Sequence, residues 1–169
     1  DGINDYVETE ITGGNLINGF SLGCSFQTFD DTDYVSLITK YGHASSGFSH
    51  STASLMLNSG YVSLIYRNTD GVSNEIVVDD VFVADGAWHT VIGTYDNSIN
   101  RVTIKIDEAI HTFDVDDLSG NIENNATFRF GVQQNPDWPW YFDGQLDEVM
   151  IWNIAVYDKE EHNGQIAKY

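Results

Sequence analysis

Trp88-His-Thr-Val-Ile-Gly-Thr-Tyr95, then Asp96-Asn-Ser-Ile-Asn100, then Val102-Thr-Ile-Lys-Ile106: two runs of β-branched and aromatic residues stand on either side of a polar turn. Such side chains fit a pleated, half-buried surface, while Asp, Asn and Ser supply turn chemistry, so the segment predicts an antiparallel hairpin. The same grammar repeats in both directions along the chain. Tyr61-Val-Ser-Leu-Ile-Tyr66, Glu75-Ile-Val-Val78 and Val81-Phe-Val83 are short strand-like runs, punctuated by Asn68-Thr-Asp-Gly71 and Ala84-Asp-Gly86. Phe20 to Phe29, Tyr34 to Ile38, Thr127 to Val132 and Leu146 to Trp152 fit strands as well. About ten short strands at this spacing predict an all-β, antiparallel, two-sheet sandwich.

Only the tail breaks the period of two. Asp158-Lys-Glu-Glu161 has capping-box spacing, which predicts a short C-terminal helix over roughly 159–167. The length of 169 residues suits one well-buried domain spanning 1–169, and 41% hydrophobic with 13% aromatic residues predicts a globular chain. The sequence begins at Asp1 without Met, which leads us to expect an excised domain or a processed fragment of a larger protein. Cys24 is the single cysteine and rules out an intrachain disulfide; in a strand-like setting it reads as a small buried hydrophobe.

Charge excludes some partners. Asp and Glu number 26 against seven Lys and Arg, for a net charge of −19. Such a surface repels a phosphate backbone or an anionic membrane face and suits cations or a salty medium. Nucleic acid is therefore excluded first, and no apolar run reaches membrane-spanning length.

Three stretches together resemble the laminin-G-like, concanavalin A-like jelly-roll family, in its pentraxin-like branch. They are Asp1-Gly-Ile-Asn-Asp-Tyr-Val7, Asp85-Gly-Ala-Trp-His-Thr-Val91 with Thr94-Tyr95-Asp96, and Phe142-Asp-Gly-Gln-Leu-Asp-Glu-Val-Met-Ile-Trp152. Ile106-Asp-Glu108 departs from the family's usual "VDG" turn, and the region 40–60 carries no recognisable motif. The resemblance implies two stacked antiparallel sheets, with ligands on a concave face or along a loop rim. It does not imply one function, since members include lectin-like modules, adhesive domains and domains appended to enzymes.

Asp147 and Glu148 raise the question of catalysis. Strand alternation sends adjacent side chains to opposite faces, whereas glycoside hydrolysis needs two carboxyl groups facing each other about 5–10 Å apart. No alternating E-x-D-x-x-E pattern occurs, so the expectation is a non-enzyme. Asp147 has two readings. It anchors the backbone of the N-terminal segment by hydrogen bonds, or it holds a structural calcium, which the resemblance carries onto Asp147 with Asp1 and Asp5. Glu148 is expected to partner the Trp88–His89 segment. Asp30-Asp-Thr-Asp33 is a second metal candidate, set against a solvated acidic turn.

The aromatic loop Gln133-Gln-Asn-Pro-Asp-Trp-Pro-Trp-Tyr141 points to sugar. Pyranose rings present apolar C–H faces to flat aromatic surfaces, and their hydroxyls want amide and carboxylate partners. Trp138, Trp140 and Tyr141 are the expected platform, with Gln133, Asn135 and Asp137 as hydrogen-bonding partners. Tyr41, His43 and His50 are expected to line a loop over the binding face. No histidine pair has zinc spacing and no G-x-S-x-G elbow occurs.

The expected function is thus a non-catalytic carbohydrate-binding, lectin-like module of an extracellular, cell-surface or virion protein. Its partner would be a glycan or polysaccharide and its calcium structural; the oligomeric state is left open. The alternatives are a polysaccharide hydrolase or lyase of the same fold, and a structural or adhesive oligomerisation domain. Arg67, Arg101 and Arg129 are few for neutralising a uronate substrate.

Overall fold

Backbone pairing in the computed structural model follows the alternation of the sequence. The structure describes residues 6–12, 16, 19–41, 52–67, 73–116, 126–133, 140–157 and 165–168. One sheet contains β1 (Val7–Glu8), β10 (Phe128–Phe130), β3 (Val35–Tyr41), β4 (Thr52–Asn58), β5 (Tyr61–Arg67) and β6 (Ser73–Phe82), in that spatial order. The second contains β14 (Gln165–Lys168), β13 (Gly144–Trp152), β2 (Phe20–Thr28), β7 (Trp88–Asp96), β8 (Arg101–Ile106) and β9 (Ala109–Asp114). A two-stranded ribbon pairs β11 (Val132–Gln133) with β12 (Trp140–Tyr141). Every pairing is antiparallel, and among the described residues there is no helix. The predicted all-β sandwich is the observed one.

Alternate residues of both sheets meet in one core. Phe20, Leu22, Cys24 and Phe26 from β2 pack with Val91 and Tyr95 of β7 and with Leu55, Leu57, Leu64 and Tyr66 of the facing sheet. Tyr66 stacks on Tyr95 with centroids 4.6 Å apart, tying the layers together. Gly93 in the hairpin strand permits this approach: a Cβ there would lie 2.9 Å from Leu64 Cδ1 and 3.1 Å from Leu55 Cδ1. Cys24 is buried within the core, and burial pushes its thiol well above the usual range, as its hydrophobe reading required. Lys40 is also buried; its ammonium donates to the carbonyls of Thr12 and Ala126, and burial lowers its pKa to about 8.

A smaller core forms on the outer face of the second sheet. Ile92, Met150, Trp152 and Val156 cluster there, with Ile154 packed against them. The strap after β13 is held down by hydrogen bonds: Val156 N–H donates to Ser21 Oγ at 2.9 Å, and Thr94 Oγ1 donates to Val156 O at 2.5 Å.

The tail corrects the predicted helix. Gln165–Lys168 is a strand antiparallel to β13, with Ile151 opposite Ala167; the capping-box residues lie outside the described residues. A helix this short is costly to nucleate, while β13 offers a sheet edge whose unpaired backbone groups a strand satisfies. The altered turn at Ile106-Asp-Glu108 is a tight hairpin with Asp107 in the left-handed region (φ 52°), a conformation Asp tolerates. β4 accounts for part of the region in which no motif was recognised.

Candidate functional site

The paired carboxylates sit at an irregularity of β13. Asp147 is opposite Ser25 and Met150 is opposite Gly23, so one extra residue is inserted between them. Glu148 takes φ 49°, and its N–H donates to Asp147 Oδ1 at 2.7 Å. Leu146, Val149 and Ile151 face the core, while Asp147 shares the outer face with Ser25. The Glu148 carboxylate accepts from Ser25 Oγ at 3.4 Å, which brings it to that same side. The expectation of opposite faces is therefore corrected: a β-bulge resets the alternation. Ser25 Oγ lies 3.3 Å from Thr90 Oγ1, so Glu148 reaches the Trp88–His89 strand through Ser25.

The calcium reading has one described member. Asp147 is exposed with one oxygen engaged by Glu148 N–H, while Asp1 and Asp5 lie outside the described residues. Among the described residues, no group of three or more His, Cys, Asp and Glu could hold a metal ion. In the Asp30–Asp33 turn two carboxylates accept hydrogen bonds from neighbouring groups. Asp30 Oδ1 accepts from Thr32 N–H and Oγ1 at 3.0 and 2.7 Å, and Asp33 Oδ1 accepts from Ser59 Oγ at 2.5 Å.

The expected sugar-binding residues divide. Trp138, Asp137, Asn135, His43 and His50 lie outside the described residues, and of Gln133 and Trp140 the structure describes the backbone pairing in the ribbon. Phe130 is opposite Ile38, and Gly131 N–H donates to Leu37 O, so the chain enters the ribbon at the Val35 end of β3. Half-buried Tyr141 stands at that end; half-buried Tyr41 closes the other end of β3. At about 3.3 Å per residue the two ends are about 20 Å apart, more than a single sugar spans.

The Val35 end carries a cleft of about 520 Å³ that the sequence did not announce. Gln27 and Gln145, opposite one another on β2 and β13, contribute amides, and Asp30, Asp31 and Asp143 contribute carboxylates. Phe29 stands at its edge and is 79% exposed. Its ring lies against Gly86 (φ 81°): a Cβ at that position would fall 2.0 Å from Phe29 Cζ. The rim is knit by Gln27 Nε2 donating to Gly86 O at 2.7 Å and Gly86 N–H donating to Thr28 O at 2.9 Å. Thr28 Oγ1 donates to Asp143 O and accepts from Asp30 N–H, joining the two walls. The signal available in the sequence was an aromatic directly between a strand and an acidic turn, Phe29-Asp-Asp31.

Behind the rim, His89 clasps two turns. Its Nδ1 is 2.8 Å from Asp107 Oδ2 and its Nε2 is 3.1 Å from Asp85 Oδ1, with the side chain 12% exposed. Asp107 Oδ1 also accepts from Thr90 N–H, and Asp85 Oδ1 from Ala87 N–H, both at 2.8 Å. Two carboxylates around one imidazole favour the form with both nitrogens protonated. Burial works against that charge, and the hydrogen bonds to Asp107 and Asp85 outweigh it, so the pKa of His89 is raised.

A family model described as the concanavalin A-like lectin/glucanases superfamily matches residues 1–160. Among solved structures, domains LG4-5 of the mouse laminin α1 chain superpose with a TM-score of 0.69 at 13% identity, covering 98% of this chain and 43% of that one. The heptameric SAP-like pentraxin of Limulus polyphemus gives 0.57 at 16% identity, covering 85% and 69%. The NanB sialidase of Streptococcus pneumoniae gives 0.66 at 15% identity over 85% of this chain, although only 23% of the sialidase is spanned. No curated protein sequence matches. At these identities the structural likeness speaks to fold.

Proposed function

The chain belongs to the concanavalin A-like lectin/glucanase superfamily, and from that premise we propose that it is a non-catalytic, lectin-like carbohydrate-binding module. Its setting would be an extracellular or surface protein. The observation that carries the reading is the cleft at the Val35 end, where an exposed aromatic ring borders a cavity lined by amides and carboxylates. Its volume falls in the usual range of small-molecule sites, about 300–1,000 Å³. Phe29 offers a sugar its apolar C–H face, while Gln145, Asp31 and Asp143 accept or donate to ring hydroxyls.

Charge narrows the ligand class. Among the described residues three carboxylates and no cationic side chain line the cleft, so a neutral glycan is favoured over a sialylated or uronate-bearing one. Gln133, Asn135, Asp137, Trp138, Trp140 and Tyr141 remain proposed sugar-binding residues, and of these Tyr141 stands at the same end of β3 as the cleft. Structural calcium at Asp147 with Asp1 and Asp5 remains part of the proposal. Chelation should lower the melting temperature and added calcium restore it; a temperature unmoved by both would refute the ion.

Glycan-array binding tests the function. Retention of neutral oligosaccharides, weak retention of acidic ones, and loss in Phe29→Ala are the expected results. Absence of binding to every glycan, or release of reducing ends from a polysaccharide, would overturn the proposal.

A further inference from the structure

On the premise that the Phe29 cleft takes a glycan, we propose that a second subsite centred on Trp88 continues it across the outer face of the second sheet. The ligand is then an internal stretch of an extended neutral polysaccharide rather than a single terminal sugar.

Three observations converge on this. Gln145, Gln27 and Trp88 are direct register partners on β13, β2 and β7, so they form one row across three strands. Phe26, next to Gln27, faces the core, which puts this row on the outer face. At a strand spacing of about 4.8 Å the row spans about 10 Å, more than one pyranose ring.

The second observation is exposure. Trp88 is 48% exposed, and the other tryptophan described in full on this face, Trp152, is completely buried beneath the 153–157 strap. The strap covers the half of the face that holds Ile92, Met150 and Trp152. The half holding Trp88 keeps a large apolar ring in water, which costs free energy in a free domain and is recovered when a ligand covers it.

Third, the aromatic surface is continuous with the cleft and is followed by hydroxyls. The Phe29 ring rests on Gly86, two residues before Trp88, so the two exposed rings border the same turn. Two residues along the strands from the Gln27–Trp88 pair, Ser25 and Thr90 present facing hydroxyls, with Glu148 bonded to Ser25. A chain of sugars laid from the cleft over Trp88 would alternate ring stacking with hydroxyl contacts, in the manner of a tracked polymer.

Calorimetric titration with neutral gluco-, xylo-, manno- and chito-oligosaccharides of one to six residues tests the subsite. For the series that binds, the parent should gain about tenfold or more in affinity between the single sugar and the longest chain, the effect of one well-covered aromatic. Trp88→Ala should bring the ratio of long-chain to single-sugar affinity close to one, and Trp88→Tyr should restore most of it. Should Trp88→Ala lose its cooperative unfolding transition, Trp88→Gln replaces it at this exposed position. A parent whose affinity does not depend on length, with binding still abolished by Phe29→Ala, would overturn the subsite while leaving the glycan site standing. So would a Trp88→Ala length profile equal to the parent's. No binding of any oligosaccharide by the parent would overturn both.

Discussion

Two tryptophans share the outer face of the second sheet and have opposite fates. Trp152 is fully buried, pressed over Gly23 and sealed by the strap that Ser21 and Thr94 hold through Val156. Trp88, on a neighbouring stretch of the same surface, is half exposed beside the Phe29 cleft. The hydrophobic effect treats both rings alike, so the difference comes from what the chain lays over them. One half of the face serves the fold, and the other is the half to which we assign the ligand. Beside the exposed half, the described residues of the cleft include Asp30, Asp31 and Asp143 and no cation.

The largest effect should come from the buried half. Trp152→Ala removes a fully buried ring and is expected to cost about 3–5 kcal/mol of stability by denaturant unfolding. A loss under about 1 kcal/mol would mean that the strap seals nothing. Trp88→Ala should cost no more than about 1 kcal/mol, the behaviour of an exposed side chain. Equal losses in the two variants would erase the contrast.

Gly86→Ala stands between fold and function. The residue has φ 81°, and its missing Cβ is the space occupied by the Phe29 ring. Alanine should cost about 1–2 kcal/mol in strain and displace Phe29, weakening glycan retention on the array together with stability. Unchanged retention would show that Phe29 need not rest where it does.

The smallest effect should be a dependence on pH at the clasp behind the rim. The folded-state pKa of His89 is raised above its ordinary value of 6.5 by Asp107 and Asp85, against the effect of burial. Protonation is thus favoured by folding. The stabilisation is complete below pH 6.5 and is lost as pH rises through the raised folded value. The urea midpoint of the parent, minus that of His89→Gln, should fall across that window. A difference independent of pH would remove the ionic part of the clasp.

The sheets were legible in the sequence because their information is local. The hairpin from Trp88 to Ile106 carries its alternation and its turn within one stretch, and β7 and β8 appear close to where the pattern put them. The bulge at Asp147-Glu148 was not legible. Period-two reading has no way to see an inserted residue, and the bulge turns the inference of opposite faces into its reverse. The tail failed for a related reason: capping chemistry is local, whereas the open edge of β13 that recruits Gln165–Lys168 is tertiary. The cleft was hidden more deeply, since Gln27, Phe29, Asp143 and Gln145 come from segments more than a hundred residues apart and converge only when β13 pairs with β2. Tyr41 and Tyr141 stand at opposite ends of β3, a separation that only the pairing of the strands reveals.

The most direct test follows the indole N–H resonances in a proton–nitrogen correlation spectrum during titration with a neutral hexasaccharide that binds. The chain has four tryptophans, so single Trp→Phe variants assign the signals. The division of the face predicts that the Trp88 resonance shifts in step with binding while that of Trp152 stays in place. A bound hexasaccharide that leaves Trp88 unmoved, or that moves Trp152 instead, would contradict it.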